Sequence, residues 1–136
     1  MKTLILYYSL TGNTKKSALA AADEKQCDVV QVTDERKPGM FKALAVGCFY
    51  ALSGKGWKIN PIEADIEAYE HIIVYTPIWA GNPPPAVNAV FNRLPSGKTI
   101  SAVMVSETGK SNCTKRLIKK ITDSGCIPGD FINVKA

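Results

Sequence analysis

The sequence predicts an α/β protein built on a parallel sheet with helices on both faces. Three observations predict it. Short apolar runs alternate with helical patterns five times along the chain. The run Leu4 to Tyr8 is continuously apolar, as a strand buried on both faces should be. Polar loops containing glycine follow the first, third and fourth runs, where open α/β sheets bind ligands. Strand and helix in alternation imply crossover connections and parallel pairing.

The elements follow in order. Leu4 to Tyr8 is the first strand. Thr14 to Glu24 is the first helix, with Ala18, Ala21 and Ala22 able to line one face. Val29 to Val32 is the second strand. Pro38-Gly39 breaks the chain, and Met40 to Leu52 reads as a helix ending near Gly54. Lys55 to Ala64, with Gly56, Trp57 and Pro61, reads as a connection holding a short turn at most. Ile72 to Tyr75 is the third strand. Pro83 to Asn92 is a helix whose prolines sit in its first turn, where a missing N–H does little harm. Thr99 to Val105 is the fourth strand. Ser111 to Thr122 is a helix with Leu117, Ile118 and Ile121 inward, and Gly125 is placed to cap its end. Phe131 to Val134 is the last strand.

The chain has 136 residues, of which 46% are hydrophobic and 21% charged. That length predicts one domain with a real core, and that composition excludes disorder. No apolar run is long enough to span a bilayer. The N-terminal stretch lacks a cleavage site of small residues, so a cytoplasmic location is expected. The cysteines at 27, 48, 113 and 126 form no Cys-x-x-Cys pair, and His71 is the sole histidine. A zinc site or a disulfide framework is therefore not expected. The net charge of +5 would assist acidic or phosphorylated partners. Lys115, Arg116, Lys119 and Lys120 read as a solvated basic helix face, and without interleaved aromatics they do not point to nucleic acid.

Ser9-Leu10-Thr11-Gly12-Asn13-Thr14 joins the first strand to the first helix. Free N–H groups and the helix dipole favour an anion there, and Gly12 permits close backbone approach. Capping alone would need one hydroxyl, whereas four polar side chains occupy six residues. The Walker A ending and the three-glycine dinucleotide spacing are both absent. The third-strand loop, Thr76-Pro77-Ile78-Trp79-Ala80-Gly81-Asn82-Pro83-Pro84-Pro85, carries a Trp placed either to stack on a flat ring or to fold onto the core. Its prolines stiffen it, which lowers the entropy lost on binding. The fourth-strand loop, Ser106-Glu107-Thr108-Gly109-Lys110-Ser111-Asn112, is polar and opens a helix. Cys113, in the first turn of that helix, reads as structural.

The run Ile5 to Thr14, with Ala18 four residues on, resembles the flavodoxin signature, departing from it at Ala21, where the family has an aliphatic residue. The Thr-Pro-x-Trp run resembles short flavodoxin-like proteins. The resemblance implies a three-layer fold with strand order 2-1-3-4-5 and FMN as cofactor. It implies that Ser9, Leu10, Thr11, Gly12, Asn13 and Thr14 grip the phosphate. Pro77, Ile78, Trp79, Ala80, Gly81 and Asn82 would flank the isoalloxazine, with Trp79 over one face and Gly81 the candidate for a reorienting carbonyl near N5. Ser106, Glu107, Thr108, Gly109 and Lys110 would border the pyrimidine side. No catalytic residue and no metal ligand are implied.

A flavodoxin normally carries a fifth helix after its fifth strand, and this chain is expected to lack it. One sheet face is thus expected to be uncovered, and buried in a homodimer or under a repositioned helix. The resulting expectation is an FMN electron carrier serving redox protein partners, with no membrane and no nucleic acid. The alternatives are an FMN-dependent NAD(P)H:quinone-type oxidoreductase and a non-redox binding module on the same fold.

Overall fold

The computed structural model describes residues 2–35 and 58–136. Five parallel strands form one sheet: β1 (Thr3–Tyr7), β2 (Asp28–Gln31), β3 (His71–Pro77), β4 (Thr99–Ser106) and β5 (Ile127–Lys135). Their order is β2-β1-β3-β4-β5, the order the resemblance implied. Three helices are described, α1 (Asn13–Lys25), α2 (Pro85–Arg93) and α3 (Thr114–Asp123), with a 3₁₀ turn at Ile66–Ala68. The expected helix at 40–52 lies outside the described residues. From the expected connection, Ile59 pairs antiparallel with Asp34, and the short turn falls just beyond it.

The central strands β1, β3 and β4 are apolar on both sides because helices cover both faces. Leu4, Leu6, Ile72, Val74, Ile100 and Met104 pack with Val87 and Val90 of α2 and with Leu117 and Ile121 of α3. The alternate positions Ile5, Tyr7, Ile73, Tyr75, Val103 and Val105 face Ala18 and Ala22 of α1. Small alanines let α1 sit close to the sheet. Each fully buried Leu, Ile or Val contributes about 1.5–3 kcal/mol of hydrophobic stabilisation. Ile118, expected inward, is half-buried beside the fully buried Leu117 and Ile121.

The starts of α2 and α3 move inward from their expected places for local reasons. Pro84 takes the extended N-cap position and Pro85 opens α2, so the prolines lie at the start as expected. α3 begins at Thr114 rather than Ser111, because Ser111 donates its hydroxyl to Asn133 Oδ1 at 2.5 Å. After α3, Gly125 adopts φ 84 and donates to the Thr122 carbonyl at 3.0 Å, ending the helix.

The largest difference is β5, which begins at Ile127 instead of Phe131. A bulge explains it. Ile100 pairs with Pro128 and Ala102 with Phe131, leaving Gly129 and Asp130 opposite Ser101. Asp130 N–H donates to Ser101 Oγ at 3.0 Å, and a Cβ at Gly129 would collide with that same oxygen. Pro128 is tolerated because β5 is an edge strand. His71 Nε2 lies 2.7 Å from Ser101 Oγ, so this hydroxyl links β3, β4 and β5.

On the α1 side, β5 places Ile132 and Val134 opposite Val103 and Val105. Ile132 is 49% exposed and Ile127 is 57% exposed. Among the described residues, α1 is the helix that packs on this side, and it contacts β1, β2 and β3 rather than β5.

Candidate functional site

Parallel pairing carries the ends of β1, β3 and β4 to one edge of the sheet. Tyr7 registers with Tyr75, and Pro77 with Val105. Tyr8 N–H continues the ladder to the Tyr75 carbonyl at 3.2 Å. The three loops singled out in the sequence therefore leave the same edge, on either side of β3, the strand with neighbours β1 and β4.

In the first loop, Gly12 sits at the α1 N-cap with φ 103, a left-handed conformation that favours glycine. Ser9 Oγ accepts the Gly12 N–H at 3.0 Å, closing the loop on itself. The first helical bond runs from Lys16 N–H to the Gly12 carbonyl, also 3.0 Å. Among the described residues, no side chain caps α1. The hydroxyls thus do not act as a helix cap, and the N–H groups of the first turn remain available to an anion. A Cβ added at Gly12 would meet nothing within 4 Å, so the space above the turn is open. Thr11, Gly12 and Asn13 are exposed, whereas Thr14 is buried. α1 also has no acidic residue in its first turn, and Lys15 and Lys16 stand there instead. Cations at a helix N-terminus oppose its dipole, an arrangement that a bound anion would offset.

Tyr8 anchors the base of this loop. Its hydroxyl donates to Asp34 Oδ2 at 2.7 Å, and burial together with that carboxylate pushes its pKa far above the usual tyrosine value. It therefore stays a protonated donor. Sequence reading passed over Tyr8 and Asp34 as site residues, because nothing local indicates a bond across 26 positions.

In the third-strand loop, Trp79 and Asn82 exchange both backbone bonds, at 2.7 and 3.0 Å. Ala80 and Gly81 between them take φ 51 and φ 80, the signature of a type I′ turn. Ala80 and Gly81 are exposed, and Pro77, Ile78 and Asn82 are half-buried. Of the two placements the sequence left open for Trp79, the structure shows the one folded onto the core. Trp79 is only 7% exposed and belongs to the core, with its ring edge-on to Tyr8 at 6.1 Å between centroids and 68° between planes. The tight turn ends the loop so early that the indole folds beneath it onto the α2 side of the sheet.

The fourth-strand loop is ordered by its own hydroxyls. Ser106 Oγ and Thr108 Oγ1 donate to the Lys110 carbonyl at 3.3 and 3.4 Å, and Gly109 turns the chain with φ 72. Glu107, Thr108 and Lys110 are exposed. Cys113 is buried at the α3 N-cap with its thiol toward Ser111 Oγ, consistent with a structural role. Arg116 is exposed, as expected of a solvated face, and it also reaches a neighbouring loop. Its Nη1 donates to Asn82 Oδ1 at 3.0 Å, joining α3 to the third-strand loop.

An uncapped helix N-terminus behind a left-handed glycine, on the loop-bearing edge of a 2-1-3-4-5 sheet, defines a flavodoxin-like protein. The neutral donors of the first loop fit a phosphate group such as that of FMN. The family model described as NADPH-dependent FMN reductase matches residues 1–129, so the chain belongs to that family, and FMN is its cofactor. No curated protein matches the chain. Among solved structures, the chain is similar to a flavoprotein of Lactobacillus acidophilus in complex with FMN, with 20% identity and a TM-score of 0.74 over 96% of this chain and 91% of that one. It is similar to the two-electron reduced flavodoxin of Megasphaera elsdenii, with 18% identity and a TM-score of 0.60 over 96% and 83% of the two chains. A Streptococcus pneumoniae flavodoxin shares 19% identity and a TM-score of 0.57 over 100% and 87%.

Proposed function

We propose that this protein is an FMN-binding electron-transfer flavoprotein that passes electrons between redox partners. One observation carries the reading: the uncapped α1 N-terminus behind Gly12, beside the third- and fourth-strand loops. In this reading the backbone N–H groups of the first α1 turn hold the phosphate, aided by the side chains of Thr11 and Asn13. Lys15 and Lys16 add long-range attraction. The turn at Ala80 and Gly81 borders the ring, and Ser106 to Lys110 border its far edge. FMN supplies one- and two-electron chemistry, and the protein sets access and electrostatics.

The family match favours a second reading, direct reduction by NADPH. Anaerobic mixing of the FMN-loaded protein with NADPH separates the two. Under the carrier reading, flavin absorbance near 450 nm falls only slowly, and bleaching within seconds would favour the reductase. A protein that emerges from desalting without FMN would refute both.

The net charge of +5 gives a further expected result. Positive surroundings stabilise an added negative charge. The second one-electron reduction should therefore occur at a less negative potential than in acidic flavodoxins, and raising ionic strength should shrink the difference. Spectroelectrochemistry measures it, and a strongly negative value would exclude the idea.

We also propose that the α1 side of β5 pairs with a second copy of the chain. The support is the exposed Ile127 and Ile132 on that side. Ile132→Lys should then shift sedimentation from dimer to monomer. A wild-type protein that sediments as a monomer at every concentration contradicts the pairing.

A further inference from the structure

We propose that Arg116 is a positioning residue for the flavin site, acting through Asn82 on the Ala80 carbonyl. The inference rests on the FMN reading above. Two bonds form a relay. Arg116 Nη1 donates to Asn82 Oδ1 at 3.0 Å, and Asn82 Nδ2 donates to the Ala80 carbonyl at 3.3 Å.

The chemistry of the two side chains gives this relay a direction. A guanidinium only donates, so the face of the Asn82 amide turned to Arg116 must be its oxygen. The Nδ2 donor is thereby turned toward the turn, where the Ala80 carbonyl accepts from it. An amide rotated by half a turn would set oxygen against oxygen at Ala80 and N–H against guanidinium at Arg116. Arg116 thus selects one of two amide orientations, and that orientation selects the direction of the Ala80 carbonyl.

The turn needs such a constraint. Ala80 holds φ 51, in the left-handed region that a non-glycine residue occupies only at a conformational cost. Such a conformation persists only where its surroundings fix it. The two Trp79–Asn82 backbone bonds fix the ends of the turn. They leave its central peptide, between Ala80 and Gly81, to be fixed by the side-chain bond. Both residues are exposed at the loop-bearing edge, where the FMN reading seats the ring. Arg116 comes from a helix 34 residues away, which makes the direction of one loop carbonyl depend on the seating of α3.

Four variants test the relay. Arg116→Met removes the donors and keeps an apolar stem. Arg116→Lys keeps a donor. Asn82→Asp keeps an acceptor for Arg116 but has no N–H for Ala80. Asn82→Ala removes both. The readouts are the Gly81 amide resonance in FMN-free protein and the dissociation constant of FMN. Arg116→Met and Asn82→Asp should both move the Gly81 resonance and weaken FMN about fivefold to twentyfold, while Arg116→Lys restores most of both. Arg116→Met in the Asn82→Ala background should add nothing. If Asn82→Asp behaves as wild type, Arg116 acts as a simple tether and the relay is wrong. If Arg116→Met leaves the Gly81 resonance in place, the proposal is also wrong. Failure of the wild-type protein to bind FMN would overturn the FMN reading and with it the role of Arg116 toward flavin. The Gly81 resonance would still report whether the relay itself exists.

Discussion

Gly12→Asp should weaken FMN binding by at least a hundredfold, or about 2.7 kcal/mol, and leave the fold intact. The new carboxylate would project into space in which a Cβ meets nothing, at the N-terminus of a helix that no side chain caps. It would occupy the anion position itself. Two unit charges about 5 Å apart repel by roughly 3 kcal/mol at an effective dielectric near 20, and a phosphate dianion doubles the exposure to that repulsion. Stability should change little, because two effects oppose each other. A left-handed φ of 103 penalises any side chain by about 1 kcal/mol, while a carboxylate at a helix N-terminus returns about 0.5–2 kcal/mol. Titration of FMN by fluorescence quenching, with thermal melts alongside, measures both quantities. Gly12→Asn, which brings similar bulk without charge, should lose far less affinity. Wild-type affinity in the aspartate variant would move the phosphate away from α1.

The second large effect is expected at Trp79. Trp79→Ala should cost about 3–5 kcal/mol of stability, a large fraction of the roughly 5–15 kcal/mol that holds a domain of this kind together. The indole is buried against Tyr8, so its deletion opens a cavity beneath the third-strand loop. Trp79→Leu separates packing from stacking. Leucine fills part of the cavity and has no aromatic face. With the indole acting in the core, this variant should melt several degrees lower and still bind FMN within about threefold of wild type. A ring stacked on the flavin would instead be worth about 1–3 kcal/mol, so its loss would weaken FMN about fivefold or more. That second outcome would restore the ring-stacking expectation and would require the loop to open when flavin binds.

Much of the fold was legible because its signals are local. Leu4 to Tyr8 and Ile72 to Tyr75 are runs of buried residues, and a strand covered on both faces can tolerate no polar side of its own. β5 was only half legible. Proline and glycine weaken a strand pattern, and Pro128 and Gly129 are strand residues only because the bulge opposite Ser101 and an open edge accommodate them. The first loop was legible as a tight strand-to-helix connection, since its small polar residues and glycine fall where a strand hands over to a helix. Which hydroxyl does what was not legible. Ser9 closes the loop rather than capping the helix, and that depends on how Gly12 turns.

The sequence by itself determined the α/β class, the strand order through its resemblance, and the three loops at which a ligand is expected. The class and the loops follow from period, continuity and turn chemistry within ten or so residues, and the strand order from the resemblance alone. Only the tertiary structure decided that Trp79 turns inward, that Tyr8 reaches Asp34, and that Arg116 reaches Asn82. Each of these depends on a partner 26 to 71 positions away along the chain. The physical reason is that a side chain's direction is chosen by what packs beside it, and those neighbours are fixed only when the sheet is assembled.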